Sequence, residues 1–195
     1  WLFRSNSASG FYTGSISVTG TNVPQQDVSV SGDVYPTTAI SSSPISATVC
    51  EGSQTNFNVS AVGANLTYQW QVSSNNGSTW SNISNSSTDI YLGETSNSLI
   101  LTTALTSAYN GYKYRCVVSG TCSSTTSSNA TLTVNSKPQL TAQPTNVTVC
   151  SGTTSGFTVS ATGTSLTYQW QVLTTVGGAT WTNVSNTGVY SGVNT

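Results

Sequence analysis

Histidine and methionine are absent from this chain, and charge is scarce: 4 Lys and Arg with 5 Asp and Glu make up 5% of 195 residues, where globular sequences carry about a quarter. Without imidazole, a Ser or Cys nucleophile lacks its usual base. A zinc site is equally hard to assemble, because Cys50, Cys116, Cys122 and Cys150 include no C-x-x-C pair and there is no histidine to complete one. The carboxylates Asp27, Asp33, Glu51, Asp89 and Glu94 are scattered, Asp89 and Glu94 being the nearest pair. They offer neither the opposed carboxylates of a glycosidase nor a clustered calcium shell. The sequence therefore predicts a protein that is not an enzyme and needs no cofactor or metal. The cations are Arg4, Lys113, Arg115 and Lys137, too few to neutralise a run of phosphates, which excludes nucleic acid as a partner. No apolar run approaches the roughly 18 residues of a membrane span, so no membrane insertion is expected of this segment.

Ser, Thr, Asn and Gly supply the polar surface instead. Four cysteines in a chain of this kind favour an oxidising, extracellular compartment, with disulfides and free thiols both open. The N-x-S/T triplets, such as those at Asn58 and Asn183, are what chance supplies in a sequence so rich in these residues.

The most informative feature present is a duplication. VCEGSQTNFNVSAVGANLTYQWQV, residues 49–72, recurs as VCSGTTSGFTVSATGTSLTYQWQV, residues 149–172. Cys50/Cys150, Gly52/Gly152, Phe57/Phe157, Val59/Val159 and the entire YQWQV run coincide at an offset of one hundred. A repeat of that size can bury its own core, unlike a solenoid rung. The chain reads as a tandem array of domains, the first and last incomplete.

Period-two alternation dominates and no helical periodicity is visible. Tyr12, Gly14, Ile16 and Val18 alternate with Thr13, Ser15 and Ser17; Val28, Val30 and Val34 form the facing run. Residues 1–36 thus predict the C-terminal hairpin of a preceding β-sandwich, and the proline-bounded stretch 36–44 predicts a linker. Strands are then expected at 45–49, 55–61, 67–73, 80–83, 98–102, 112–119 and 130–135, with a tight turn at Asn76-Gly77. Seven strands in this length suit a sandwich. A complete domain at 45–135, a short link and the N-terminal part of a second domain at 137–195 follow.

The order Gly52-x-x-Thr55-x-Phe57-x-Val59, then Trp70, then Leu99-x-Leu101, then Asn110-Gly-Tyr112-Lys-Tyr114-Arg-Cys116 resembles an immunoglobulin-like domain. Val59 stands where that family places its first core cysteine. More narrowly, VCEG, YQWQVSSNNGSTWSNIS and NGYKYRCVVSGTC are similar to the tandem immunoglobulin-like repeats of large Bacteroidota cell-surface adhesins, the SprB-like gliding-motility adhesins. The resemblance implies an all-β chain of tandem immunoglobulin-like β-sandwich domains. It also implies an extracellular, cell-surface location reached by type 9 secretion, and a role as a non-catalytic stalk in surface attachment or gliding. Neighbouring repeats would be its first partners, with surface polysaccharide or the secretion and motility machinery beyond them.

On the topology so implied, Cys116 and Cys122 bracket the turn between strands F and G and are the disulfide candidates; reduced, buried thiols are the alternative. Trp70 and Trp170 are expected in the core. Trp80 and Trp181 follow the turn after strand C, where they either pack over a sheet edge or stand exposed as sugar-stacking platforms. The sequence also fits a carbohydrate-binding accessory module of a secreted polysaccharide-degrading enzyme, or a subunit of an extracellular filament.

Overall fold

A computed structural model describes residues 8–84, 90–174 and 180–192. The chain divides into two compact units, 1–134 and 135–195.

The first unit opens with an antiparallel hairpin, β1 (Gly10–Gly20) and β2 (Val23–Val34). Its register sets Ile16 opposite Val28 and Gly14 opposite Val30 on one face. Thr13 with Ser31, Ser15 with Ser29 and Ser17 with Asp27 line the other, as the alternation predicts. Asn22, at φ 67, makes the turn. On the hydroxyl face the Ser17 hydroxyl donates to Asp27, Gln25 adds a second bond, and together they hold the Asp27 carboxyl below its usual range.

The sandwich follows: β3 (Ala39–Ser42), β4 (Ala47–Cys50), β5 (Thr55–Asn58), β6 (Ser60–Val62), β7 (Thr67–Ser73), β8 (Ser81–Asn82), β9 (Tyr91–Leu92), β10 (Ser98–Leu101), a single 3-10 turn at Ser107–Tyr109, β11 (Lys113–Ser119), β12 (Ser124–Thr126) and β13 (Ala130–Asn135). One sheet runs β4-β13-β11-β7-β8, with β12 also on β11; a second, three-stranded sheet runs β5-β10-β9, and β3 and β6, which follows β5 in the chain, form a separate two-stranded pair. Phe57, Val59, Leu99 and Leu101 from the second sheet meet Trp70, Tyr114, Cys116, Val118 and Leu132 from the first in one buried core.

Residues 36–44, expected as a linker, contain a strand. β3 pairs with β6, Ala39 opposite Val62 and Ile40 opposite Ala61, and Ile40 packs against the core. The first strand of the fold is shared, β3 pairing with β6 and β4 with β13. Its Ser-rich composition disguised it, because Ser41 and Ser42 face solvent while Ile40 is its one large apolar side chain. Residues 35–38 are also held: the Thr38 amide donates to Ser123 Oγ at 3.2 Å, and a Cβ at Gly120 would lie 2.3 Å from Thr38 Oγ1. Only glycine leaves room there.

The second unit repeats two of these strand pairs, but Trp170, expected in the core, is half-buried and Phe157 is 58% exposed, because the counterparts of β4 and β5 do not form strands that would cover them. β14 (Gln139–Ala142) pairs with β15 (Ser160–Thr162), Leu140 opposite Ala161, with the same register shift one residue later that β3 and β6 show. β16 (Gln171–Val172) pairs with β17 (Thr182–Asn183) as β7 does with β8.

Where the family this chain resembles places its core disulfide, Val59 and Cys116 are both buried and Cys116 is a free thiol. The turn at residues 93–97 ties the sheets together instead. Its Glu94 carbonyl accepts the Trp70 amide at 2.8 Å and its Ser96 carbonyl accepts the Trp70 indole N–H at 2.9 Å. Asn97 accepts the Val59 amide, on the opposite sheet, at 2.9 Å. Trp70 itself is 0% exposed, so every polar group it brings into the core is bonded. The Tyr114 hydroxyl pairs with the Tyr91 hydroxyl at 3.2 Å. Tyr114 also stacks on Phe57 at 5.0 Å.

Truncation of Trp70 to Ala is expected to lower the unfolding free energy of the first sandwich by about 3–5 kcal/mol, read from the urea midpoint. Gly93→Ala should destabilise too, because Gly93 has φ 78 and its Cβ would fall 2.3 Å from the Ser98 carbonyl. An unchanged midpoint for Gly93→Ala would show that the 93–97 turn does not clamp the sheets.

Candidate functional site

The expected Cys116–Cys122 bridge is absent: all four cysteines are free. The register explains this. β12 pairs Ser124 with Ser119 and Thr126 with Val117, which brings Ser127 opposite Cys116. The Cys116 amide donates to Ser127 Oγ and its carbonyl accepts from the Ser127 amide, both at 2.9 Å. Cys122 lies in the turn beyond Ser119, so about 10 Å of strand separates Cys116 from the start of that turn. A disulfide requires Cα atoms within about 4.4–6.8 Å. The Cys122 thiol sits 3.6 Å from the Tyr35 carbonyl. Cys50 and Cys150 are exposed. Burial pushes the Cys116 thiol up to about 11, a value at which it is no nucleophile at neutral pH.

Beneath the 3-10 turn, Phe57, Tyr91, Tyr109, Tyr112 and Tyr114 form an aromatic cluster with ring centroids 5.0–6.5 Å apart. Desolvation holds the Tyr91 phenol up to about 12 and raises that of Tyr114 as well. Neither is poised for proton transfer at neutral pH. Among the described residues, no group of three or more His, Cys, Asp or Glu side chains could hold a metal ion. Glu51 is engaged with the Ser107 amide, and Asp89 lies outside the described residues.

The two candidate stacking tryptophans differ. Trp181 is 59% exposed. Trp80 is half-buried: the Arg115 guanidinium lies 4.1 Å from its ring centroid and its indole N–H donates to the Gly77 carbonyl. One face of the Trp80 ring is therefore occupied by a cation.

Arg115 was not singled out in the sequence, and it organises the outer face of the β11-β7-β8 sheet. Arg115 pairs with Gln71 across the sheet, its Nε donating to Gln71 Oε1 at 2.8 Å. Gln71 Nε2 in turn donates to Asn82 Oδ1 at 2.8 Å. The second unit repeats the neutral part, Gln171 Nε2 donating to Asn183 Oδ1 at 2.9 Å. Gln69 and Gln169 each donate to the two strand carbonyls beside them in the same way. The duplicated QWQ motif could have revealed this, since alternation turns both glutamines outward when the tryptophan turns inward.

A family described as "Domain of unknown function (DUF8696)" matches residues 38–136. No curated protein matches the chain. Among solved structures it is similar to the four N-terminal immunoglobulin domains of a Dscam1 isoform, at 17% identity and TM-score 0.50, covering 75% of this chain and 40% of that one. It is also similar to an I-band fragment of titin, at 16% identity and TM-score 0.50, covering 69% and 46%. Immunoglobulin domains 1–5 of Sidekick-1 align at 18% identity and TM-score 0.44, covering 66% and 26%. The chain thus spans less than half the length of each of these three, and the likeness to the first two shows an immunoglobulin-like fold.

Two measurements check the thiol and phenol environments. In the folded protein, a thiol reagent at pH 8 should modify Cys50, Cys122 and Cys150 and leave Cys116 until denaturant is added. Cys116 and Tyr91 keep their protons longer when folded than when unfolded, so their contribution to stability is complete below about pH 9 and declines as pH rises toward 11–12. Urea midpoints should accordingly fall on the alkaline side, and Cys116→Ala should remove the earlier part of that fall.

Proposed function

The chain belongs to the family described as "Domain of unknown function (DUF8696)", whose match takes in just over half of its residues, and on that premise we propose that it is part of the non-catalytic repeat stalk of a secreted cell-surface adhesin. The observation that carries this is the duplication itself. Two copies one hundred residues apart share the β3-β6 pairing, the strand pairing after the YQWQV run and the outward glutamine ladder. A repeated unit with its own core adds length without adding chemistry, which is what a spacer requires. The low charge and hydroxyl-rich surface keep such a spacer hydrated over a wide range of salt.

By its sequence resemblance, the work of the stalk is surface attachment or gliding, following type 9 secretion to the cell surface. Its partners are the neighbouring repeats, then surface polysaccharide or the motility machinery.

Single-molecule stretching tests the stalk. The first sandwich should unfold as one event releasing roughly 300 Å of contour, and the increment should be the same with and without reductant, because no bridge locks part of the chain. Several smaller increments, or one that lengthens on reduction, would contradict a disulfide-free spacer domain. Assays on neutral and acidic polysaccharides are expected to detect no hydrolysis.

A further inference from the structure

We propose that the outer face of β11 and β7 is a binding site for the carboxylates of an acidic polysaccharide, with Arg115 as the forked donor and Lys113 as a second charge. The chain holds only four cations, and two of them are placed two residues apart on β11, on its outward side. Alternation that buries Tyr114 and Cys116 turns Lys113 and Arg115 the other way. Among the described residues neither has a carboxylate partner; Arg115 is held by an amide, Gln71, and by the Trp80 ring.

The identity of that partner matters. A glutamate at position 71 would fix the guanidinium and cancel its charge, whereas glutamine fixes it and leaves the charge whole. Asn82 orients Gln71, and Gln71 takes Nε, so the two terminal nitrogens of Arg115 keep the bidentate geometry that suits a carboxylate. Stacking on Trp80 reduces the rotamer freedom lost on binding. The Lys113 stem runs along the same turn, its Cδ 4.0 Å from where a Gly77 Cβ would be.

A polysaccharide suits this face better than a folded protein does. None of the large exposed hydrophobic residues lies on β7, β8 or β11, so the apolar centre that a protein interface needs is lacking. What the face offers is a fixed cation framed by amides on an open sheet. One weak contact gains effect when the ligand repeats its charge along a polymer. The site rests on the stalk proposal only for its multiplicity in an array.

Electrophoresis of the 195-residue chain through native gels containing polygalacturonate tests the site. The wild-type chain should be retarded, and Arg115→Gln should weaken the apparent affinity about tenfold. Lys113→Gln should weaken it less, and Arg115→Lys, which keeps the charge and loses the fork, should fall between wild type and Arg115→Gln. Urea midpoints of the variants establish that they are folded. Equal retardation of folded Arg115→Gln and wild type overturns the site, as does equal retardation in neutral dextran. Retardation by poly-glutamate matching that by polygalacturonate overturns the assignment to polysaccharide. The stretching measurement is independent of all these, so failure of the stalk and failure of the site are separately visible.

Discussion

The hydrogen bonding of Trp70 is what the rest of the sandwich depends on. A fully buried indole adds a large apolar volume and one polar group, and a core containing an unbonded N–H would lose stability of the order of 1–3 kcal/mol. The 93–97 turn satisfies that N–H and, through Glu94, the Trp70 amide as well, while Asn97 reaches Val59 on the other sheet. One short segment therefore spans the gap that a disulfide would otherwise cross. Gly93 makes the segment possible, since no side chain fits between its backbone and the Ser98 carbonyl.

With the sheets tied in this way, Cys116 is free to act as a small apolar residue. It packs in the core, takes its main-chain bonds from Ser127 and is held protonated by burial. The exposed thiols lie at the edges of the domain: Cys50 ends β4, and Cys122 sits against the backbone of Tyr35. The same economy governs the tyrosines, where Tyr91 and Tyr114 satisfy one another's hydroxyls inside the aromatic cluster and need no charged partner. A chain with so few charges can hardly do otherwise.

Scarcity of charge also makes the placement of each cation informative. On an ordinary surface Lys113 and Arg115 would be two among many. Here Arg115 stands over Trp80, braced by the Gln71-Asn82 pair whose counterpart recurs as Gln171-Asn183, and Lys113 lies two residues away on the same side of β11. The core tryptophan and this outer face are two sides of the same strand. Whatever fixes β7 in the sandwich also fixes the geometry presented to solvent.

The sequence by itself determined the fold class, the repeat, the alternating hairpin, the core position of Trp70, and strands at 67–73 and 130–135. These follow from residue spacing, because periodicity and burial are nearly the same information. Tertiary structure decided three further matters. The Ser-rich segment before Pro44 became β3, because pairing with β6 outweighs a composition that looks like linker. Cys116 and Cys122 were separated, because pairing is set by strand register, and a turn that places Ser124 opposite Ser119 leaves Ser127 facing Cys116. Arg115 gained its role only when β7, β8 and β11 came together, since its partners Gln71, Asn82 and Trp80 lie 33 to 44 residues away in the chain. No local pattern records a contact of that range; folding brings those side chains within reach.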